Sequence, residues 1–283
     1  MTHMTFIHAL SPLHAGTGQG VGVIDLPIAR EKATELPYLP GSSLKGVLRD
    51  VCDKESRERV FGPDSANADK HAGAAQFSDQ RLLALPTRSL MGVFAWITSP
   101  FILRRVAREA AMVGIAGPPG TIPDPANMDT CLRTPDTCLS VRNRVVLEDL
   151  DLESQTAPSV DEWSTWLQDR LFDAEDDWRT LFNRRFCIVH DDVMTFLCET
   201  ATEVVARIRM DEETGIVADG GLWYEEALPA ESLLYGLISV RPNAKTELSS
   251  GEIIDRLRGL TVNAIQLGGH NGVGRGLCRV RLS

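Results

Sequence analysis

Residues 37–49 read Pro37-Tyr-Leu-Pro-Gly-Ser-Ser-Leu-Lys-Gly-Val-Leu-Arg49, an extended segment that turns into a helix. The helix is indicated by apolar side chains spaced i, i+3, i+4 and i+7, which fall on one face: Leu44, Val47, Leu48 and Val51. Pro40-Gly41 comes just before it, and Ser42 or Ser43 can cap its amino end. The sequence therefore predicts an amphipathic helix that begins next to a turn.

Two cations of this helix, Lys45 and Arg49, lie one turn apart beside the apolar stripe. The free N–H groups at a helix amino end attract anions, so the pattern is typical of a phosphate-binding helix. The same pattern also occurs in amphipathic helices whose two cations are simply solvated, and this is the commoner case. The pattern alone leaves both readings open.

Outward from this helix, the chain mixes predicted strands and helices without regular βαβ alternation. The predicted helices begin at Ser99-Pro100, Asp161, Asp177 and Gly251. The predicted strands cover residues 5–10, 75–83, 92–97, 141–147, 202–210, 216–226, 232–240 and 277–282, and residues 114–135 are predicted to be a long loop. This pattern favours an α+β fold with an antiparallel sheet, in one domain that carries large inserts.

The charge is unevenly distributed. The chain has 283 residues, 43% hydrophobic and 24% charged, which is typical of a globular domain and excludes collagen, coiled-coil and disordered chains. Its 29 basic and 39 acidic residues give a formal net charge of −10. Residues 148–177 alone hold 11 acids and one base, Arg170. An acidic helical insert over 146–190 is therefore predicted, facing solvent or a neighbouring subunit, and the net charge does not exclude nucleic acid.

Targeting signals and disulfide or zinc patterns are not evident. The first ten residues lack a basic region followed by an apolar core, and the most apolar stretch, residues 90–103, is interrupted and too short to cross a bilayer. The six cysteines include no C-x-x-C pair. A reduced cytoplasmic protein without a membrane partner is expected.

Two glycine-rich loops carry the remaining chemistry. The first, residues 12–22, holds four glycines and is flanked by His14 and Asp25. The second, residues 268–276, holds five glycines together with Arg275. The second loop fits neither a nucleotide-hydrolase loop nor a dinucleotide fingerprint. The second loop is predicted either to approach a phosphodiester backbone or to be a tight bulged connection.

A β-hairpin is predicted where Asp211-Glu-Glu-Thr-Gly215 joins two strand-like runs, with glycine in the turn. Near its end, Trp223 is predicted to stack on bases or to pack inward.

In combination these segments resemble the RAMP superfamily of CRISPR proteins, and more narrowly the backbone subunit of type III-B (Cmr) effector complexes. Besides residues 37–49 and the glycine-rich segment near the C-terminus, the similarity lies in His14-Ala-Gly-Thr-Gly18, Phe77-Ser-Asp-Gln-Arg-Leu-Leu83, Pro86-Thr-Arg-Ser-Leu-Met-Gly-Val-Phe-Ala-Trp96 and Leu222-Trp-Tyr-Glu-Glu-Ala-Leu-Pro229. It extends over most of the chain but not over residues 114–135 and 148–177.

The resemblance implies a ferredoxin-like or RRM-like core, residues 1–283 being one RAMP domain with a protruding hairpin, the thumb, at 202–228. It implies guide RNA, target RNA, other Cmr subunits and further copies of the chain as partners. It also implies cleavage of target RNA with Mg²⁺ or Mn²⁺ at Asp25, with His14, Glu225 and Glu226 as possible participants. The implied RNA-binding residues are Ser42, Ser43, Lys45, Arg49, Arg207, Trp223, Gly268, Gly269, Gly274, Arg275 and Gly276.

Three alternatives remain. The chain is a guide-binding backbone subunit that does not cut, the related type III-A backbone subunit, or an enzyme that binds a phosphorylated small molecule in its glycine loops.

Overall fold

The computed structural model describes residues 1–18, 20, 23–63, 72–115, 117–172, 175–211, 214–242 and 248–283. In these ranges the helices are α1 (Gly41–Val51), α2 (Lys54–Phe61), α3 (Pro100–Met112), α4 (Pro158–Leu171), α5 (Asp176–Arg185), α6 (Asp191–Thr200) and α7 (Ser250–Leu260). The strands are β1 (Thr2–Ala9), β2 (Tyr38–Leu39), β3 (Ala75–Phe77), β4 (Gln80–Arg88), β5 (Phe94–Thr98), β6 (Thr130–Arg133), β7 (Arg144–Leu147), β8 (Leu150–Thr156), β9 (Phe186–Val189), β10 (Glu203–Met210), β11 (Val217–Ala227), β12 (Leu233–Val240), β13 (Ile265–Gln266) and β14 (Leu277–Leu282). None of the described helices is both long enough and apolar enough to span a bilayer. The mixed α+β class is confirmed.

The large sheet begins with five antiparallel strands in the order β13–β14–β1–β12–β4. Helices α1 and α7 contact each other and pack against β3 and β12. Their buried side chains Leu44, Leu48, Ile253 and Leu257 join the core together with Phe6 and Tyr235 of the sheet. This half positions the two glycine-rich loops, because both lie next to the end of β1 where Ala9 pairs with Cys278.

The sheet continues beyond β4 in the order β5–β9–β6–β8–β7. Two of these ladders, β5–β9 and β6–β8, are parallel, so the prediction of an antiparallel sheet is wrong for this half. Strand order of this kind depends on pairing between residues far apart in the chain, which local sequence patterns do not encode.

The acidic insert over 146–190 is also less purely helical than predicted. Helices α4 and α5 are present, but β8 and β9 lie in the same stretch and join the large sheet. The apolar side of α4 is buried through Trp163 and Leu167, whereas the acids Glu162, Asp169 and Asp177 are exposed. Residues 173 and 174 of the acidic stretch lie outside the described ranges.

Two further local predictions need correction. The loop predicted over 114–135 ends in β6, which pairs with both β8 and β9. Neither Ser42 nor Ser43 caps α1: Pro40 occupies the N-cap position, and the Asp79 side chain accepts the Gly41 N–H at 2.9 Å. The cap is supplied from another part of the chain, so no local pattern could indicate it.

The predicted hairpin is present as a separate two-stranded sheet formed by β10 and β11. One face of it exposes apolar side chains, among them Val204, Ile208, Leu222 and Tyr224. The opposite face turns Arg207 and Glu225 towards the glycine-rich loops. Residues 212 and 213 of the predicted turn, and Gly22 of the first glycine-rich loop, lie outside the described residues.

Candidate RNA-binding and active site

Several of the residues selected from the sequence line a single open cleft of about 490 Å³. Its walls are the first glycine-rich loop, the amino end of α1 and the second glycine-rich loop. They contribute His14, Gly16, Gly18, Ser42, Ser43, Gly268, Gly269 and His270, among others. Segments separated by more than 200 positions in the chain therefore meet at one surface.

The two loops approach each other closely because glycine permits it. The Gly269 N–H donates to the His14 carbonyl at 2.9 Å. Gly268 has a φ of +75°, and a Cβ added there would collide with that same carbonyl. Only glycine combines this left-handed backbone with this close contact at no steric cost. The loop is therefore a tight connection, as one of the two predictions has it, and it forms one wall of the cleft.

Below the cleft lies a buried carboxylate, Glu225, which is 1% exposed. Its oxygens lie 3.3 Å from Nε of Arg207, 3.4 Å from Nε of Arg275 and 3.7 Å from Nδ1 of His270. Arg275 also donates to Glu203 at 3.0 Å. Glu225 therefore ties the base of the hairpin to the second glycine-rich loop by charge.

Two histidines, His14 and His270, lie near this carboxylate. The rings of His14 and His270 meet edge to face with centroids 4.8 Å apart. His14 is buried, and its Nδ1 lies 2.6 Å from the Glu226 carbonyl, which fixes the proton of the neutral ring on Nδ1 because a carbonyl only accepts. His270 is more open, with 33% of its side chain exposed.

The neighbouring carboxylate, Glu226, has a different environment. It accepts from Arg30 at 2.6 Å, from Thr202 at 2.9 Å and from the Ile28 N–H at 3.1 Å, and it is 3% exposed. Arg30 extends the network by donating to the carbonyls of Glu35 and Cys198. Both oxygens of Glu226 are thus engaged within the fold.

Asp25 is exposed and lies beside the hairpin. Its Oδ2 accepts the Tyr224 N–H at 2.8 Å. The next residue, Leu26, forms a parallel bridge with Glu225, and the Leu26 carbonyl accepts the Glu226 N–H at 3.0 Å. The segment that carries Asp25 therefore extends the hairpin at its base, and among the described residues the second carboxylate oxygen has no hydrogen-bond donor.

Two places in the site could hold a divalent ion, and they differ in how well they suit one. One exposed carboxylate with a remaining oxygen suits Mg²⁺ or Mn²⁺, because hard ions are commonly held by one or two carboxylates and substrate phosphates. Among the described residues, one further group has ligand atoms close together, within 4.8 Å: His14, Glu225 and His270. In that group the two arginines already balance the carboxylate, so it is poorly suited to an additional cation. Asp25 is the better candidate.

The other predicted RNA-binding residues are more dispersed. Lys45 and Ser42 line a second cleft of about 410 Å³ on the neighbouring side of α1. Arg49 donates to the Gly62 carbonyl. Arg207 and Arg275 are engaged with Glu225, and Trp223 is half-buried. Gly274 and Gly276 both have positive φ in the second loop, but they do not line the first cleft.

His270 is the residue of this site that sequence reasoning missed. It has a left-handed backbone with a φ of +63°, at the start of a short 3-10 turn over Asn271–Val273. Seven described non-glycine residues have a positive φ, His270 among them, and histidine is one of the residue types that adopt this conformation more readily. Its only signal in the sequence is a histidine within a run of glycines.

Comparison with known proteins identifies the family of this chain. The RAMP superfamily profile matches residues 6–279. The CRISPR system Cmr endoribonuclease Cmr4 of Pyrococcus furiosus is 36% identical over 99% of this chain and 95% of its own length. A crystal structure of oligomeric Cmr4 from the same organism covers all of this chain and 98% of its own, with a TM-score of 0.77 and 28% identity.

A cryo-EM structure of a type III-B Cmr-beta complex bound to cognate target RNA contains a chain with the same fold, with a TM-score of 0.75 at 20% identity, over all of this chain and 97% of the other. The profile and the Pyrococcus relative both extend over nearly the full chain, so this protein belongs to the RAMP superfamily and, within it, to the Cmr4 group.

Proposed function

We propose that this protein is a guide-RNA-binding backbone subunit of a type III-B CRISPR effector complex that cuts complementary target RNA at regular intervals. The observation that carries the proposal is the cleft in which both glycine-rich loops and the amino end of α1 meet, together with the exposed Asp25 at the base of the hairpin. Backbone N–H groups of such loops and of a helix amino end suit a phosphodiester chain.

The name of the Pyrococcus relative supports endoribonuclease activity, and the oligomeric Cmr4 crystal structure supports a row of copies. Head-to-tail contacts that do not close generate such a row. Full-length similarity to Cmr4 favours type III-B over the type III-A alternative. A reducing cytoplasm suits the six free thiols of the chain.

The architecture of the proposal is a single RAMP domain with a ferredoxin-like core. In support, β1, α1, β4, β12, α7 and β14 follow one another as βαββαβ, and their strands lie in the antiparallel order β14–β1–β12–β4. The remaining elements are then inserts. The β10–β11 hairpin is the proposed thumb, and its exposed apolar face, with Ile208 and Leu222, is suited to displace a base pair of the guide–target duplex.

In the proposed mechanism, RNA supplies its own nucleophile, the 2′-hydroxyl, so the protein mainly orients the backbone and compensates charge. Asp25 would hold a divalent ion, Mg²⁺ or Mn²⁺, which supplies charge neutralisation at the phosphate. The Tyr224 N–H orients the Asp25 carboxylate towards the base of the hairpin. Glu226 maintains the fold around this site through Arg30, Thr202 and Ile28.

The test is reconstitution with guide RNA and the partner subunits, followed by mapping of cuts on complementary RNA. We expect evenly spaced cuts that EDTA abolishes. Asp25→Asn should abolish them while assembly persists, because the amide still accepts the Tyr224 N–H but carries no charge. Asp50→Ala, at an exposed position of α1, is the matched control.

Undiminished cutting by Asp25→Asn would remove Asp25 from the mechanism. Assembly on guide RNA without any cutting would favour the non-cleaving backbone subunit. Purification without RNA, but with a bound phosphorylated metabolite, would favour the small-molecule alternative.

A further inference from the structure

We infer that His270 is a further catalytic residue, the general acid that protonates the 5′-oxygen as the target strand breaks. The inference rests on the proposed function and assigns a group that the nuclease site otherwise lacks. Its basis is a juxtaposition: an exposed imidazole on the wall of the RNA cleft, backed by a buried carboxylate.

The position of His270 is suited to contact with RNA. It lines the same cleft as Ser42, Ser43 and Gly269, and one-third of its side chain is exposed. Among the described residues, its Nε2 makes no hydrogen bond or ion pair. That nitrogen is therefore available to a bound phosphodiester, whereas the ring of His14 is buried and packs against Gly16.

Two buried residues, Glu225 and His14, contact the ring of His270. Oε2 of Glu225 lies 3.7 Å from its Nδ1, and the edge of His14 packs on its ring. The carboxylate lies beyond hydrogen-bond distance of this nitrogen and acts on the ring by charge, which leaves Nε2, the nitrogen on the far side of the ring, to carry out the chemistry. Arg207 and Arg275 hold Glu225 in place from the other side. Glu225 and His14 are thus positioning residues.

The relation to Asp25 is equally direct. Asp25 bonds to the backbone of Tyr224, and His270 faces the side chain of the next residue, Glu225. Asp25 and His270 therefore contact consecutive residues of β11. The left-handed backbone of His270 places its ring at this position.

The step balances without a further reactant. The 2′-oxygen bonds to phosphorus as its hydroxyl proton passes to water, and the bond between phosphorus and the 5′-oxygen breaks. The 5′-oxygen takes the proton from Nε2 of His270, which later regains one from solvent. The products are a 2′,3′-cyclic phosphate and a 5′-hydroxyl. Positioned acids of this kind accelerate such reactions by about 10²–10⁴-fold.

The experiment compares the wild-type complex with His270→Asn under single-turnover conditions. Asparagine tolerates the left-handed backbone, so the loop is retained. Two target RNAs are used, one unmodified and one in which sulfur replaces the bridging 5′-oxygen at a cut position. A thiolate leaves without protonation, so a lost general acid affects only the unmodified RNA. Asn271→Ala, the exposed neighbour, is the matched control.

We expect His270→Asn to cut the unmodified RNA about 100-fold more slowly or worse, at the same positions and with the same RNA affinity, and to cut the sulfur-substituted RNA at the wild-type rate. A rate within threefold of wild type on unmodified RNA, or an equal deficit on both RNAs, would overturn the assignment. If the wild-type complex cuts neither RNA, the proposed function itself fails and the inference fails with it.

Discussion

Replacing Glu226 by glutamine tests whether this carboxylate stabilises the fold or takes part in cleavage. The side chain is 3% exposed and accepts three hydrogen bonds, of which the one from Arg30 at 2.6 Å is an ion pair. Glutamine keeps the shape and one acceptor oxygen, but it turns an NH₂ group towards donors and leaves Arg30 without its countercharge.

The loss of stability depends on the hydrogen bonds that Arg30 keeps in the variant. Removing one partner of a buried ion pair costs about 3–5 kcal/mol, and because Arg30 still donates to two carbonyls we expect a loss of about 3 kcal/mol. For a chain of this length 1 kcal/mol corresponds to about 2 °C, so the melting temperature of Glu226→Gln should fall by about 6 °C.

The assay is thermal unfolding of the purified chain, followed by cleavage with the reconstituted complex well below the melting temperature. Glu199→Gln, at an exposed position of α6, is the control and should shift the melting temperature by no more than about 1 °C. We expect Glu226→Gln to cut at a rate close to wild type. A stable variant that has lost cleavage would refute the structural assignment and return Glu226 to the chemistry.

Two further predictions concern acid stability and guide binding. The hydrogen bond from Arg105 lowers the pKa of Glu31, so the stability that this pair contributes is present above the usual glutamate pKa of about 4.3 and is lost as the pH falls through the lowered value. In urea unfolding, the free energy of unfolding of Glu31→Gln should therefore decline less steeply below about pH 4.3 than that of the wild type. Parallel declines of the two proteins would contradict this. Lys45→Ala should weaken guide-RNA binding for all sequences and reduce the salt slope by about 0.7, measured by filter binding against Lys54→Ala, and an unchanged slope would show that Lys45 touches no phosphate.

The sequence predicted those elements whose signals are local. The predicted helix begins at Pro100, whose fixed φ suits the first helical position, although the Ser99 side chain makes no capping hydrogen bond; the last strand, β14, has the predicted bounds. The hairpin was predicted from its glycine turn and its two strand-like runs. These patterns carry their own physical cause within a few residues.

What depends on distant residues was not predictable. The cap of α1 comes from Asp79, and the four residues of β6 become a strand through pairing with β8 and β9. In the site, His14 and Asp25 were selected by resemblance, but the contact between Glu225 and His270 joins positions 45 residues apart in a loop without a diagnostic motif. Helix α6 was missed altogether.

The attachment of the Asp25 segment to the hairpin has a mechanical consequence. Leu26 is paired with Glu225, and Asp25 is bonded to Tyr224, so the carboxylate travels with the base of β11 whenever the hairpin tilts. In the proposed complex, the element that distorts the duplex and the group that acts on the distorted phosphate are thus one rigid body. The protein therefore sets the distance between the displaced base pair and the cut, and this distance is the same in every copy. The spacing of cuts along the row of subunits should then not depend on the RNA sequence.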